Sequence, residues 1–167
     1  GRNTAGNVVP DGTYTIMLTS TQVGGVKKGA ATTTVKIDKV KPVSSSVTPS
    51  SPSVYPVVDA LRDSVTLGAK TNEAVGSYAV YITNSTGTRV RTITGGARPA
   101  GRVDVTWKGT TNSGKRAAAG IYAFQVLLVD VAGNQTLSAK GRVTLSWKKL
   151  TAKTGTKTLT AQGAAIG

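Results

Sequence analysis

No cysteine and no histidine occur anywhere in this sequence. The first absence excludes disulfides, cysteine nucleophiles and thiolate metal sites; the second removes the Ser-His-Asp triad, the Cys-His pair and histidine-ligated metals. Acidic residues are scarce, seven Asp and Glu in all, so carboxylate chemistry is confined to a few positions. Aromatic residues make up 5% of the chain, with one Phe and two Trp, and each must carry a large share of any core. No apolar run is long enough for a membrane span or for the core of a signal peptide, so the segment reads as soluble. An export signal is expected upstream of Gly1.

Positive charge, by contrast, is plentiful. Twenty-one Lys and Arg against seven acids leave a formal net charge of +14, which bears on partners and solubility rather than on fold. The basic residues are dispersed, from Lys27-Lys28 through Lys115-Arg116 to Lys148-Lys149. There is no arginine-rich helix and no interleaving with aromatics of the kind RNA-reading sheets use. A diffuse affinity for an anionic polymer fits better than specific nucleic-acid recognition. Lys115, Arg116, Lys148 and Lys149 are the candidate polyanion contacts.

The chain also repeats itself. Gly1, Gly6, Gly12, Tyr14 and Gly25 recur as Gly109, Gly114, Gly120, Tyr122 and Gly133, each pair differing by 108 positions (109 − 1, 122 − 14). That period is too long for a solenoid unit and suits a whole β domain of about 100 residues. The counterpart of residues 55–108 for the first copy would precede Gly1. The expected organisation is therefore the later half of one module over 1–41, a Pro/Ser linker over 42–54, a complete module over 55–149, and a tail over 150–167 that forms an edge strand or opens a further module.

Every candidate element alternates with period two. Tyr14, Ile16 and Leu18 share one face of a strand over 12–19, and a second strand runs over 32–40. In the second module Val65, Leu67 and Ala69 point inward, as do Tyr78, Val80 and Ile82, then Val103, Val105 and Trp107, then Tyr122, Phe124, Val126 and Leu128. Asp130-Val-Ala-Gly-Asn134 reads as a hairpin turn, and residues 141–147 close the module. Short strands separated by turn signals imply an all-β, antiparallel, immunoglobulin-like sandwich.

The run Trp107-Lys-Gly109, Asn112-Ser-Gly114, Ala119-Gly120-Ile-Tyr122 and Asp130-Val-Ala-Gly-Asn134 resembles the immunoglobulin-like domain named after the flagellar hook-capping protein FlgD. The first copy carries the later part of the pattern in Gly6, Pro10-Asp-Gly12, Tyr14 and Gly25. The opening Tyr55-Pro-Val-Val-Asp59 is similar to that of such repeats in large secreted proteins of Gram-positive actinobacteria. The resemblance implies that Trp107, Gly109, Gly114, Gly120, Tyr122, Asp130, Gly133 and Asn134, with Gly12 and Tyr14, are structural, the glycines shaping turns while Trp107 and Tyr122 fill opposite ends of the core. Departures from the family wording are Lys108 for the acid after tryptophan, Ala119 in place of the proline, and Gln22 with Val26 for the Asp/Asn pair of the first turn.

A search for chemistry yields little. The best-placed carboxylates are Asp59 and Asp63, and they read as structural rather than catalytic, Asp59 stabilising a turn and Asp63 pairing with Arg62 or capping backbone amides. No dense acidic loop offers the six or more oxygens calcium takes, so no metal and no cofactor are expected. Ser113-Gly-Lys115 and Ser138-Ala-Lys140 lack the Ser-x-x-Lys spacing, and the sequons at Asn84 and Asn134 read as turns.

The expected function is that of a non-catalytic structural or interaction module, a stalk, spacer or adhesive repeat of a larger exported protein at the surface of a Gram-positive-like cell. The alternatives are a basic module for anionic wall polymer or carbohydrate, and an accessory domain of an upstream secreted hydrolase. Tyr14, Ile16 and Leu18 would lack an opposing sheet. Burying them is worth about 1.5–3 kcal/mol each, so they are expected to pack on the second module, on another copy or on an upstream fragment.

Overall fold

The computed structural model describes residues 1–21, 24, 27–58 and 60–150. Every regular element among them is a β-strand. Strands β1 (Gly12–Thr21) and β2 (Lys27–Ile37) form an antiparallel hairpin that is a sheet of its own. The remaining strands are β3 (Ser44–Pro49), β4 (Ser53–Val54), β5 (Val65–Thr71), β6 (Val75–Thr83), β7 (Arg89–Gly95), β8 (Gly101–Trp107), β9 (Gly120–Asp130), β10 (Gln135–Leu137) and β11 (Gly141–Leu145).

These nine strands make a two-layer sandwich. One sheet runs β4-β11-β9-β6-β7, with β10 on β9, and the other runs β3-β5-β8. All pairings are antiparallel except the short parallel contact of β11 with β4. The alternation in the sequence dictates the burial. Tyr122, Phe124, Val126 and Leu128 on β9 and Val65, Leu67 and Ala69 on β5 are all buried in one core, with Val103, Val105 and Trp107 of β8. Gly141 stands where a side chain would run into the Phe124 ring, which is why the only phenylalanine can lie flat against β11.

Two expectations are corrected here. Residues 42–54 are extended, but they are not a free linker. Strand β3 pairs with β5, β4 pairs with β11, Val47 packs on the core and Val54 is fully buried. Proline and serine disfavour helix but permit edge strands, and a register shift between Ser45 and Thr48 lets β3 follow β5 despite them. Arg102 ties the edge down, donating from Nη2 to the Thr48 carbonyl at 2.8 Å while its Nε meets Asp104 at 2.7 Å. Second, Trp107 and Tyr122 do not fill opposite ends of the core but touch one another, because the loop between β8 and β9 folds back and brings both to the same end. The tail over 151–167 lies outside the described residues.

The hairpin reproduces the end of the sandwich pair by pair. Gly12 faces Ile37, Tyr14 faces Val35 and Ile16 faces Thr33, and 108 positions on, Gly120 faces Leu145, Tyr122 faces Val143 and Phe124 faces Gly141. The isolated bridge between Arg2 and Val8 recurs as Thr110 with Arg116. Turn hydrogen bonds coincide as well: Asn3 N–H to Asn7 O and Gly6 N–H to Asn3 O become Thr111 N–H to Lys115 O and Gly114 N–H to Thr111 O. Gly6 and Gly114 share a left-handed backbone, φ 78° and 79°, which a side chain would disfavour.

The two copies differ in what covers them. Phe124 and Val126 are fully buried, whereas their counterparts Ile16 and Leu18 are 52% and 72% exposed. The expected packing of this face on the second module is therefore not what the structure shows. Hairpin and sandwich meet instead through Asp38, whose carbonyl accepts from the Asn134 side-chain amide at 3.0 Å.

Candidate functional site

The part of the sequence motif from Trp107 to Tyr122 gathers at one end of the sandwich, where the chain leaves β8 and re-enters β9. Trp107 Nε1 donates to the Thr110 carbonyl at 2.9 Å, and the Tyr122 hydroxyl donates to the Ala118 carbonyl at 2.6 Å. The latter is the corner by which a tyrosine pins the turn before its own strand in immunoglobulin-like folds. Tyr14 repeats it with Pro10 O at 2.9 Å, so the counterpart of the family proline is Ala118, not Ala119. Gly109 takes a left-handed φ of 70° beside Leu145 and Pro56, while Gly114 and Gly120 take φ 79° and 153°. Burial pushes the Tyr122 hydroxyl pKa up. The polar tips of Trp107 and Tyr122 are thus each bonded to a carbonyl of the loop between β8 and β9.

At the opposite end of β9, Asp130 accepts from the Asn134 backbone amide and side-chain amide, both at 2.8 Å, and Gly133 supplies φ 92°. Burial pushes the Asp130 carboxyl up, but the hydrogen bonds from the Asn134 side chain and from the backbone amides of Asn134, Ala132 and Gly133 outweigh it, leaving the carboxyl below its ordinary value. Sequence reasoning missed what stands beside it. One carboxylate oxygen each from Asp38, Glu73 and Asp130 lies within 4.8 Å of the others. The three come from separate segments, so no local acidic run signals them. Lys36 bonds Asp38 at 3.1 Å, and that hydrogen bond and charge, with Glu73 and Asp130 adding to it, raise the lysine pKa. Three carboxylates can hold a divalent cation, but Lys36 already supplies positive charge beside Asp38, and each Asp130 oxygen accepts a hydrogen bond from Asn134.

The candidate polyanion contacts Lys115, Arg116, Lys148 and Lys149 are all exposed. The fold brings two separate pairs together: the Arg116 guanidinium lies over the Trp147 ring, 4.7 Å from its centre. Trp147 itself donates to the Ala117 carbonyl at 2.9 Å, the place Lys39 Nζ takes toward Val9 in the first copy. Lys108, Thr110, Arg116 and Trp147 line a groove of about 390 Å³ with Pro56 and Asp63. Cation–π support of this kind holds an arginine in place without neutralising it.

The remaining candidates fall to structural roles. The Ser138 hydroxyl is buried, accepting from Val126 N–H and donating to Ala139 O, both at 2.8 Å. Ser113 shares a hydrogen bond with Thr111. Asn84 accepts from Thr86 and from the Thr88 amide inside its own turn. Asp63 accepts the Ala60 amide at 3.0 Å, and Asp59 lies outside the described residues. None of the described helices is long and apolar enough to cross a membrane, there being none at all among the described residues.

Comparison with known proteins agrees with this geometry. Residues 51–130 match the FlgD Ig-like domain family. No curated protein matches the chain. Among solved structures, dimeric latent PorU from Porphyromonas gingivalis is similar over 84% of this chain and 13% of its own, at 18% identity and TM-score 0.50. FlgD from Xanthomonas campestris is similar over 60% of this chain and 62% of its own, at 26% identity and TM-score 0.44. The tetra-tandem repeat in the extending region of a large adhesion protein is similar over 87% and 40%, at 18% identity and TM-score 0.47. The chain thus spans less than two thirds of the length of each. The matched stretch, residues 51–130, holds Trp107 and Tyr122 and ends at Asp130, and over it the chain is similar to the FlgD Ig-like domain.

Proposed function

We propose that the chain is a run of tandem immunoglobulin-like modules serving as a non-catalytic stalk, spacer or adhesive unit of a larger exported bacterial envelope protein. In this reading residues 1–41 are the later half of one module and 44–149 a complete one, with the connection shortened to a few residues before β3. The observation that carries it is the coincidence of strand register, turn hydrogen bonds and glycine backbone between the copies. Repetition of a scaffold suits spacing and display rather than turnover. Fractionation of the source cells with an antibody to this segment tests it. A surface or secreted polypeptide much larger than this chain is expected; a cytoplasmic protein of this size would overturn it.

A second reading is favoured by the Arg116–Trp147 stack, which sets Arg116 with Lys108 on one groove, Lys115 and Lys148 being the chain neighbours of the two stacked residues. On that reading the module end binds an anionic wall polymer, with the stacked arginine as its fixed centre.

A further inference from the structure

The β1–β2 hairpin has two open surfaces that its counterpart does not have. In the sandwich, β9 is flanked by β11 on one edge and β6 on the other, and its inner row is covered by β5 and β8. Strand β1 pairs only with β2 among the described residues. Its second edge, matching the stretch of β9 that β6 occupies, offers unpaired backbone groups, and Ile16 and Leu18 stand out from its face. The register identity shows what covers such a surface: strands of the β5, β6 and β8 kind.

We infer that the hairpin is an acceptor for a half-module with the strand pattern of residues 42–108. The incoming polypeptide adds a β6-like strand to the free edge of β1 through main-chain hydrogen bonds. It lays a β5/β8-like sheet, apolar at alternate positions, over Ile16 and Leu18. Its tryptophan, at the place of Trp107, meets Tyr14 as Trp107 meets Tyr122. The Tyr14 corner to Pro10 is already formed, so the acceptor is shaped in advance.

A second copy of this chain does not fill the role by exchange. Among the described residues there is one such half-module, and it already covers β9 and β11 of its own sandwich. Trading it between copies leaves the hairpin faces as open as before. The inference shares the tandem-module reading but not the envelope role, so the two fail separately.

Because the chain has no cysteine, Leu18→Cys and Thr15→Cys each place a single thiol, one on the open face and one on the opposite face of β1. The full chain is extended ahead of Gly1 by a copy of residues 42–108, which places the added Lys108 next to Gly1 in the register of the repeat. Maleimide labelling of Leu18→Cys is expected to slow by about tenfold or more relative to the unextended chain, with Thr15→Cys unchanged. Unchanged Leu18→Cys labelling would overturn the inference. So would protection in the unextended chain that grows with protein concentration, since it would assign the face to a second copy.

Discussion

The Trp107 and Tyr122 rings meet edge to face, 5.1 Å between centroids and 64° between planes, from strands that belong to opposite sheets. The contact closes the end of the sandwich and holds the loop between β8 and β9 from both sides. Trp107 anchors it at Thr110 and Tyr122 anchors it at Ala118. An aromatic pair of this geometry adds to area burial, and here each polar tip also bonds a loop carbonyl.

Removing either partner should separate these contributions. Trp107→Ala is expected to cost about 3–5 kcal/mol, the range for deleting a large buried aromatic. Tyr122→Phe keeps the ring contact and loses only the corner hydrogen bond, about 0.5–1.5 kcal/mol. Urea unfolding measures both. A Tyr122→Phe loss as large as that of Trp107→Ala would mean that the hydroxyl, not the ring pair, holds this end.

Stability should also depend on pH at two limbs. The Asp130 carboxyl titrates below its ordinary 3.8 in the folded protein, so its contribution is present above that value and is lost as pH falls through the lowered folded pKa. Tyr122 titrates above its ordinary 10.0, so its contribution is present below 10.0 and is lost as pH rises through the raised one. Thermal unfolding across pH checks the signs. Asp130→Asn should flatten the acid limb and Tyr122→Phe the alkaline one, and a limb that keeps its slope in the corresponding variant would assign it to another group.

Much of this arrangement was legible in the sequence, and the parts that were not share a cause. Period-two patterning identifies the inward rows of β5, β6, β8 and β9, because a half-buried strand writes its faces directly into the chain. The 108-residue offset anticipates pairings such as Tyr14 with Val35 and Tyr122 with Val143. What the sequence conceals is proximity between segments. Trp107 and Tyr122 look remote until the loop folds back. Asp38, Glu73 and Asp130 share no spacing rule, and Arg116 reaches Trp147 only through the packing of the turn against the end of β11. Residues 44–54 misled for a different reason: proline and serine speak against helix, but partner strands, not composition, decide whether an extended segment pairs.

Binding to an anionic polymer gives a further expectation. If the Arg116–Trp147 groove is the contact, Lys115→Gln with Arg116→Gln should weaken retention on a teichoic acid column and lower its salt sensitivity more than Lys70→Gln with Lys140→Gln. All four residues are exposed, so the comparison holds net charge constant between the two variants. Elution earlier at higher ionic strength is expected throughout. Equal loss from the two pairs would assign the affinity to diffuse charge and remove the groove from consideration.

The repeat itself supplies the sharpest contrast in stability. Ile16 and Phe124 occupy the same place in the two copies, opposite Thr33 and Gly141 respectively. One is 52% exposed and the other fully buried. Phe124→Ala should therefore cost about 3–5 kcal/mol, because it removes the ring around which β11 leaves room at Gly141. Ile16→Ala in the same chain should stay within about 0.5 kcal/mol, as exposed substitutions do. Chemical unfolding followed by circular dichroism compares the two. A large cost at Ile16 would show that the hairpin face is already covered in solution, and analytical ultracentrifugation of the same sample would then decide whether a second copy covers it.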